Sequence, residues 1–321
     1  MKSMARKGVL HFALVFTLAL FSTTVSATDL TFDQTIFNTD YIAAGVGGER
    51  GGDGTSSISL LGVSGTVTKA TLIWNGPGNS TDPAANASVT FAGNAITGTA
   101  LGLSNSNCWN FNNSKAYKAD VTSYVTGDGV FSLANLVKPG EDINGVSLQV
   151  FFNDGISTNN RDISLFYGND SNQPFTGEDL GWNITLAGIN YTSGTASMQF
   201  HVGDGQDFLD APVLVNGTAI STGNQIFQGD TTPPSPKVAL TGGNLWDINS
   251  FDITTLLTVG PNTLTVFSGT LNDCLSCVAI AVDLPAGAAP DQPSVPEPGT
   301  LLLLGSGLVG LVGYRRTKRM M

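Results

Sequence analysis

Ile58-Ser59-Leu60-Leu61-Gly62-Val63 reads as a short half-buried strand closed by glycine, and it returns as Ile184-Thr185-Leu186-Ala187-Gly188-Ile189. The same offset carries Ala70-Thr71-Leu72 onto Ala196-Ser197-Met198, and Trp74 onto Phe200. Further along, residues 89–97 (VTFAGNAIT) align with 213–221 (VLVNGTAIS). Asp120-Val121-Thr122-Ser123-Tyr124-Val125-Thr126 then matches Asp252-Ile253-Thr254-Thr255-Leu256-Leu257-Thr258. At that last offset Val146, Leu148 and Val150 fall on Val278, Ile280 and Val282. Blocks recurring in one order are the signature of a duplicated structural unit. The repeat predicts two tandem homologous units, residues 28–172 and 173–286, each long enough for its own core. The duplicated aspartates predict Asx turns that fix the entry to a strand, because a carboxylate there accepts nearby backbone N–H groups.

Outward from the repeat, short β-branched or alternating runs recur between turn residues, while helix-period apolar faces are hard to find. The chain has 39 glycines, and Ala92-Gly93-Asn94, Asn216-Gly217 and Asn153-Asp154-Gly155 supply hairpin-type turns. Many short strands at intervals of about ten residues predict an all-β fold of β-sandwich or jelly-roll type. An α/β fold would need helical segments between the strands.

The two ends have a different grammar. Lys2, Arg6 and Lys7 precede an apolar run over residues 9–21, and Val25-Ser26-Ala27 follows. Basic, apolar and small-residue zones in that order predict a signal peptide over residues 1–27, with signal peptidase cutting after Ala27. At the other end Val295-Pro296-Glu297-Pro298-Gly299-Thr300 leads into an apolar stretch over residues 301–314, then Arg315, Arg316, Lys318 and Arg319. As a helix this stretch is about 22 Å long, short of the roughly 30 Å hydrocarbon layer. It predicts a short membrane-inserting transmembrane helix whose basic end stays cytoplasmic and snorkels. The signal peptide gives the same orientation. Residues 287–294, rich in alanine and proline, predict a flexible linker holding this segment away from the folded body.

Charge separates the exported portion from its ends. All 25 acidic residues lie between Asp29 and Glu297, with only seven basic ones: Arg50, Lys69, Lys115, Lys118, Lys138, Arg161 and Lys237. The net charge of that portion is therefore 7 − 25 = −18. Such a surface stays soluble outside the cell and repels nucleic acid, so no nucleic-acid partner is expected.

The proline-glutamate-proline element, the short glycine-containing helix and the terminal arginines together resemble the PEP-CTERM sorting signal, over residues 295–321 only. The resemblance implies recognition by exosortase, a membrane-embedded transpeptidase-like enzyme of Gram-negative bacteria. It implies that Pro296, Glu297 and Pro298 are the recognition and processing element, followed by the helix and Arg315 and Arg316. It also implies transient anchoring in the inner membrane, then a place on the cell surface or in the extracellular matrix of a biofilm. The partners expected there are exopolysaccharide or other matrix proteins.

Residues able to do chemistry are few. His11 leaves with the signal peptide, so His201 is the one histidine of the exported portion; a Ser–His–Asp or Cys–His arrangement would have to use it. Alternation places it facing outward on a strand. Asp204, Asp207 and Asp210, spaced D-x-x-D-x-x-D beside Gly203 and Gly205, are calcium candidates, although the spacing is not that of an EF-hand. A glycine-rich polar turn is the plainer reading, and otherwise no cofactor is expected. Cys274 and Cys277 are expected to form a disulfide at a hairpin tip, with Cys108 joined to one of them as the alternative. Trp109 and Trp246 sit in segments that read as loops and are the candidate ligand contacts, because an indole face can stack on a sugar. Paired carboxylates of a hydrolase leave no mark in linear spacing. The chain reads as a non-enzymatic surface or matrix protein of structural or adhesive kind, with a carbohydrate-binding protein as the alternative and a polysaccharide hydrolase behind it.

Overall fold

A computed structural model describes residues 28–48, 50–175, 180–221, 224–233 and 243–287. The signal peptide, all of the linker but Gly287, and the sorting signal with its helix and basic tail lie outside the described residues.

The described chain is all β, with two short 3-10 turns and no α-helix among the described residues. The first nine strands are β1 (Thr28–Gly47), β2 (Ser56–Leu60), β3 (Thr66–Gly78), β4 (Ser88–Phe91), β5 (Asn94–Thr97), β6 (Thr99–Ser104), β7 (Asn113–Asp120), β8 (Gly129–Ala134) and β9 (Gly145–Asn153). The next eight are β10 (Arg161–Ser171), β11 (Trp182–Tyr191), β12 (Ser197–Gly203), β13 (Val213–Val215), β14 (Thr218–Ala219), β15 (Trp246–Asp252), β16 (Gly260–Ser268) and β17 (Ser276–Pro285). Two four-stranded sheets run in the orders β2-β8-β4-β5 and β11-β16-β13-β14. A nine-stranded sheet runs β15-β12-β17-β10-β1-β9-β3-β7-β6.

Each aligned block of sequence falls on strands that hold the same place in these orders. β2 and β11 both lie at an edge, beside β8 and β16, while β9-β3-β7 on one side of β1 answers β17-β12-β15 on the other. The boundary expected at residue 172 falls just after β10, a strand that pairs with β17 over its length. The duplicated aspartates close a strand and start a 3-10 turn, where entry to a strand was expected. Asp120 Oδ1 accepts the Thr122 N–H at 2.9 Å and Asp252 Oδ1 accepts that of Thr254 at 2.8 Å. Each threonine hydroxyl then accepts a backbone N–H, from Ala70 of β3 in one case and from Ala196, just before β12, in the other, both at 2.9 Å.

β1 joins the halves. Its first part pairs with β10 (Phe32 opposite Phe166) and its second with β9 (Tyr41 opposite Phe151). Three cores result, because the strands of the large sheet bury both faces. One core lies between the β11-β16-β13 sheet and β12, β17 and β10, around Trp182 and Phe200. A second lies between the β2-β8-β4 sheet and β3, β7 and β9, around Trp74 and Phe91. In the third, Ile73 and Phe151 meet Ile163, Leu165, Ala279 and Ala281, so the two arms of the large sheet pack face to face. On β9, Val146, Leu148 and Val150 point into the second core and Phe151 into the third, as period-2 alternation dictates.

Candidate functional site

The packed face between the two arms is unusually polar. His201 on β12 shares hydrogen bonds with Gln149 (3.1 Å) and Ser147 (2.9 Å) of β9. Alternation placed this histidine outward. It is instead fully buried, because β12 has a second layer over its other face. Burial lowers its pKa to about 3, so the imidazole is neutral. Tyr167 donates to Gln149 Oε1 at 2.6 Å and Tyr41 to Gln199 Oε1 at 2.6 Å, tying the layers further.

At one end of this face the loops of both halves converge on Asp204. Both carboxylate oxygens of Asp204 lie 2.8 Å from Trp109 Nε1, and Oδ1 accepts from Arg50 Nη2 at 3.0 Å. The Arg50 guanidinium stacks 3.6 Å from the centre of the Trp109 ring and also donates to Asn144 Oδ1. Asn144 donates to Asn75 at 3.0 Å and Asn75 to Asn169 at 2.9 Å, so the network runs inward from Asp204 as a chain of buried amides. A few residues away, Cys108 and Cys274 form a disulfide. Asn107, Cys108, Asn110, Asp204 and Leu245 have left-handed backbone in this region, with φ between 53° and 73°. For cysteine and leucine that conformation is costly and is held here by the surrounding contacts.

Several sequence expectations are corrected by this geometry. The disulfide expected between Cys274 and Cys277 is made by Cys274 with Cys108, and Cys277 is a buried free thiol on β17. Stacking of the two arms brings the β6–β7 and β16–β17 loops together, a long-range event that outweighs the closeness of Cys277 in sequence. Trp246, expected in an exposed loop, begins β15 and is fully buried. It fills space left by glycine: a Cβ on Gly145 would lie 2.5 Å from Trp246 Cβ, and the indole donates to Ser147 Oγ at 2.8 Å. Trp109 is half-buried, with the Arg50 guanidinium over its ring and its indole N–H on Asp204.

The three aspartates offered for calcium do not converge. Asp210 Oδ2 accepts the N–H groups of Ile226 (2.6 Å) and Phe227 (2.8 Å), and exposed Asp207 accepts from Gln225 at 2.7 Å. Asp204 belongs to the arginine, and no group of three or more metal-ligating side chains occurs among the described residues. Pro296, Glu297, Pro298, Arg315 and Arg316 lie outside the described residues. No helix among the described residues is long and apolar enough to cross a membrane. Sequence reasoning missed Arg50. Its signal was one of only seven cations in a strongly acidic portion, set between Gly47-Gly48 and Gly51-Gly52.

Burial raises several carboxyls nearby. Asp204 is pushed up to about 7, against the pull of Arg50 and Trp109. Asp273 goes to about 8 through burial and the neighbouring charges of Asp204 and Asp210, while Asp210 and Asp247 go to about 6. A carboxyl whose folded pKa is raised binds a proton in the fold that the unfolded chain has already released. Its stabilisation is complete below the unfolded pKa of about 4 and is lost as pH rises through about 6 to 8. The melting temperature is therefore expected to be higher at about pH 5 than at about pH 8. Asp273→Asn, which imitates the protonated form, should flatten that profile. A melting temperature that rises from pH 5 to 8 would contradict this reading.

Among solved structures, an Arthrobacter globiformis isomalto-dextranase bound to panose is 12% identical with a TM-score of 0.23, over 72% of this chain and 35% of that one. The chain thus spans about a third of that enzyme's length. A peptide-N(4)-(N-acetyl-beta-D-glucosaminyl) asparagine amidase is 10% identical with a TM-score of 0.24, over 79% of this chain and 98% of that one. An infectious bursal disease virus protein is 10% identical with a TM-score of 0.23, over 85% and 78%. Scores this low carry no argument about fold or function. No curated protein matches the chain. A family model for the PEP-CTERM protein-sorting motif matches residues 294–317. The chain thus carries the PEP-CTERM protein-sorting motif at its C-terminal end, a motif that implies export and sorting by exosortase.

Proposed function

We propose that this protein is a non-enzymatic component of the cell surface or extracellular matrix, built as two tandem homologous β-sandwich units and delivered there by exosortase. The observation that carries the reading is the sorting motif at residues 294–317. The duplicated strand order supports the tandem units. The use of the buried polar groups supports the absence of catalysis: Asp204, Asp210 and Asp247 are each engaged by backbone N–H, indole or guanidinium donors, and His201 is sealed between two layers. A rigid pair of sandwiches with an acidic surface suits a structural or adhesive role beside exopolysaccharide or other matrix proteins.

Deleting residues 295–321 is expected to move the protein from the surface fraction into the medium or periplasm, read by fractionation and immunoblotting. Unchanged localisation would sink the sorting half of the proposal. Turnover of any polysaccharide in a panel, abolished by a single Asp→Asn change, would overturn the non-enzymatic half.

A further inference from the structure

A cavity of about 180 Å³ opens where the third-core face of β3 and β7 meets the wall made by β1 and β10. It is lined by two lysine–aspartate pairs. Lys118 bonds Asp33 across the layers, and Lys69 lies 3.9 Å from Asp120. Between them stand Thr71 and the Tyr167 ring.

Two properties define what fits. Lys69 and Lys118 are two of the seven cations in a portion with 25 acids, yet each is matched by an aspartate, so the cavity is locally neutral. A free anion or cation gains little there. Each pair also presents an acceptor beside a donor, which is what adjacent hydroxyl groups need: a hydroxyl donates to the carboxylate and accepts from the ammonium. The Lys118 ammonium is held in place by Asp33 and by the Tyr167 ring 4.4 Å away, so little side-chain entropy remains to be lost on binding. The pair is reachable, with side chains 23% and 28% exposed. At this volume the cavity is smaller than the roughly 300–1,000 Å³ sites that take drug-sized ligands, and it has room for a single polyol ring.

We infer that the cavity lined by Lys118, Asp33, Lys69, Asp120 and Thr71 binds one uncharged, polyhydroxylated sugar unit of a surface or matrix polysaccharide. This rests on the reading of the protein as a matrix component, but it moves the sugar contact away from both tryptophans. A site of this kind, with a few hydrogen bonds and no stacking platform, holds an isolated monosaccharide with a dissociation constant of about 1 mM.

The test is saturation-transfer NMR on the full chain, with glucose, galactose, mannose and N-acetylglucosamine as probes and glucuronate as the anionic comparison. At least one neutral sugar should show saturable transfer and exceed glucuronate. Lys118→Ala and Lys69→Met should each weaken it by about tenfold, the loss of one charge-assisted hydrogen bond. Val259→Ser, at an exposed site elsewhere, should leave it unchanged. Lys69 is weakly paired and half-exposed, so its variant keeps the test decisive if Lys118→Ala lowers the melting temperature. Absence of transfer from all four sugars, preference for glucuronate, or binding unchanged in Lys69→Met overturns the inference. None of these outcomes touches the sorting proposal, which is read by localisation, whereas release of reducing sugar from a polymer would refute the non-enzymatic reading instead.

Discussion

Reduction of the Cys108–Cys274 disulfide, or Cys108→Ser, lowers the unfolding free energy by about 2–5 kcal/mol. The bond closes a loop with a sequence separation of 166, and in the chain-entropy account constraint of the unfolded state grows with loop length, to about 5 kcal/mol for loops of this size. Smaller measured values are common when the reduced chain keeps residual structure. Here the constraint acts between layers: it pins the β6–β7 loop to the loop entering β17, beside Asn107, which donates to Ser276 Oγ at 3.0 Å. Guanidinium titrations with and without reductant measure the effect. Cys108→Ser and Cys274→Ser should cost the same, and the double variant no more than either. Cys277→Ala should leave the disulfide-linked peptide intact in a non-reducing digest. A loss below about 0.5 kcal/mol in both single variants would show that the bond restrains nothing the fold does not already hold.

Asp204→Ala is the second large effect, about 3–5 kcal/mol when measured near pH 8, where this carboxyl is ionised. The cost comes from what is left behind. Arg50 is 7% exposed, and its Nε and Nη1 already lack hydrogen-bond partners, so without Asp204 its charge is held by little more than Asn144 and an indole face. Trp109 loses its acceptor in the same step. Asp204→Asn keeps an acceptor for the indole and should cost less. Replacing both partners, as in Arg50→Met with Asp204→Leu, should recover most of the loss, because two apolar side chains leave no buried charge. A double variant that loses as much as Asp204→Ala alone would argue against the unpaired arginine as the cause.

The sequence made some of this legible and hid the rest for identifiable reasons. The repeated blocks were readable because strands that hold equivalent places in the sheet orders need the same alternation and the same Asp-x-Thr turn. Trp74 and Phe200 are both fully buried at matched places on β3 and β12. β1 escaped notice because it serves three cores: Leu30 packs in one, Val46 in another, and Ile36 and Tyr41 against the third. A strand that changes partners midway has no single apolar face. β7 was hidden by Lys115 and Lys118, cations that read as surface but pair with Glu141 and Asp33 at layer boundaries. Trp246 looked exposed because its slot is made by Gly47 and Gly145, whose missing side chains are visible only once the layers are stacked. The Asp204 network draws residues from six distant loops and strands, and no local spacing announces it.

The double allegiance of β1 also bears on how the protein reaches its destination. The first strand to cross the membrane finds its neighbours only when β9 and β10 have followed, since Tyr41 pairs with Phe151 and Phe32 with Phe166. Contacts so remote along the chain are slow to form. A polypeptide emerging amino-end first therefore cannot close the large sheet while it is still in transit, and its leading segment stays threadable until more than half of the described chain is outside.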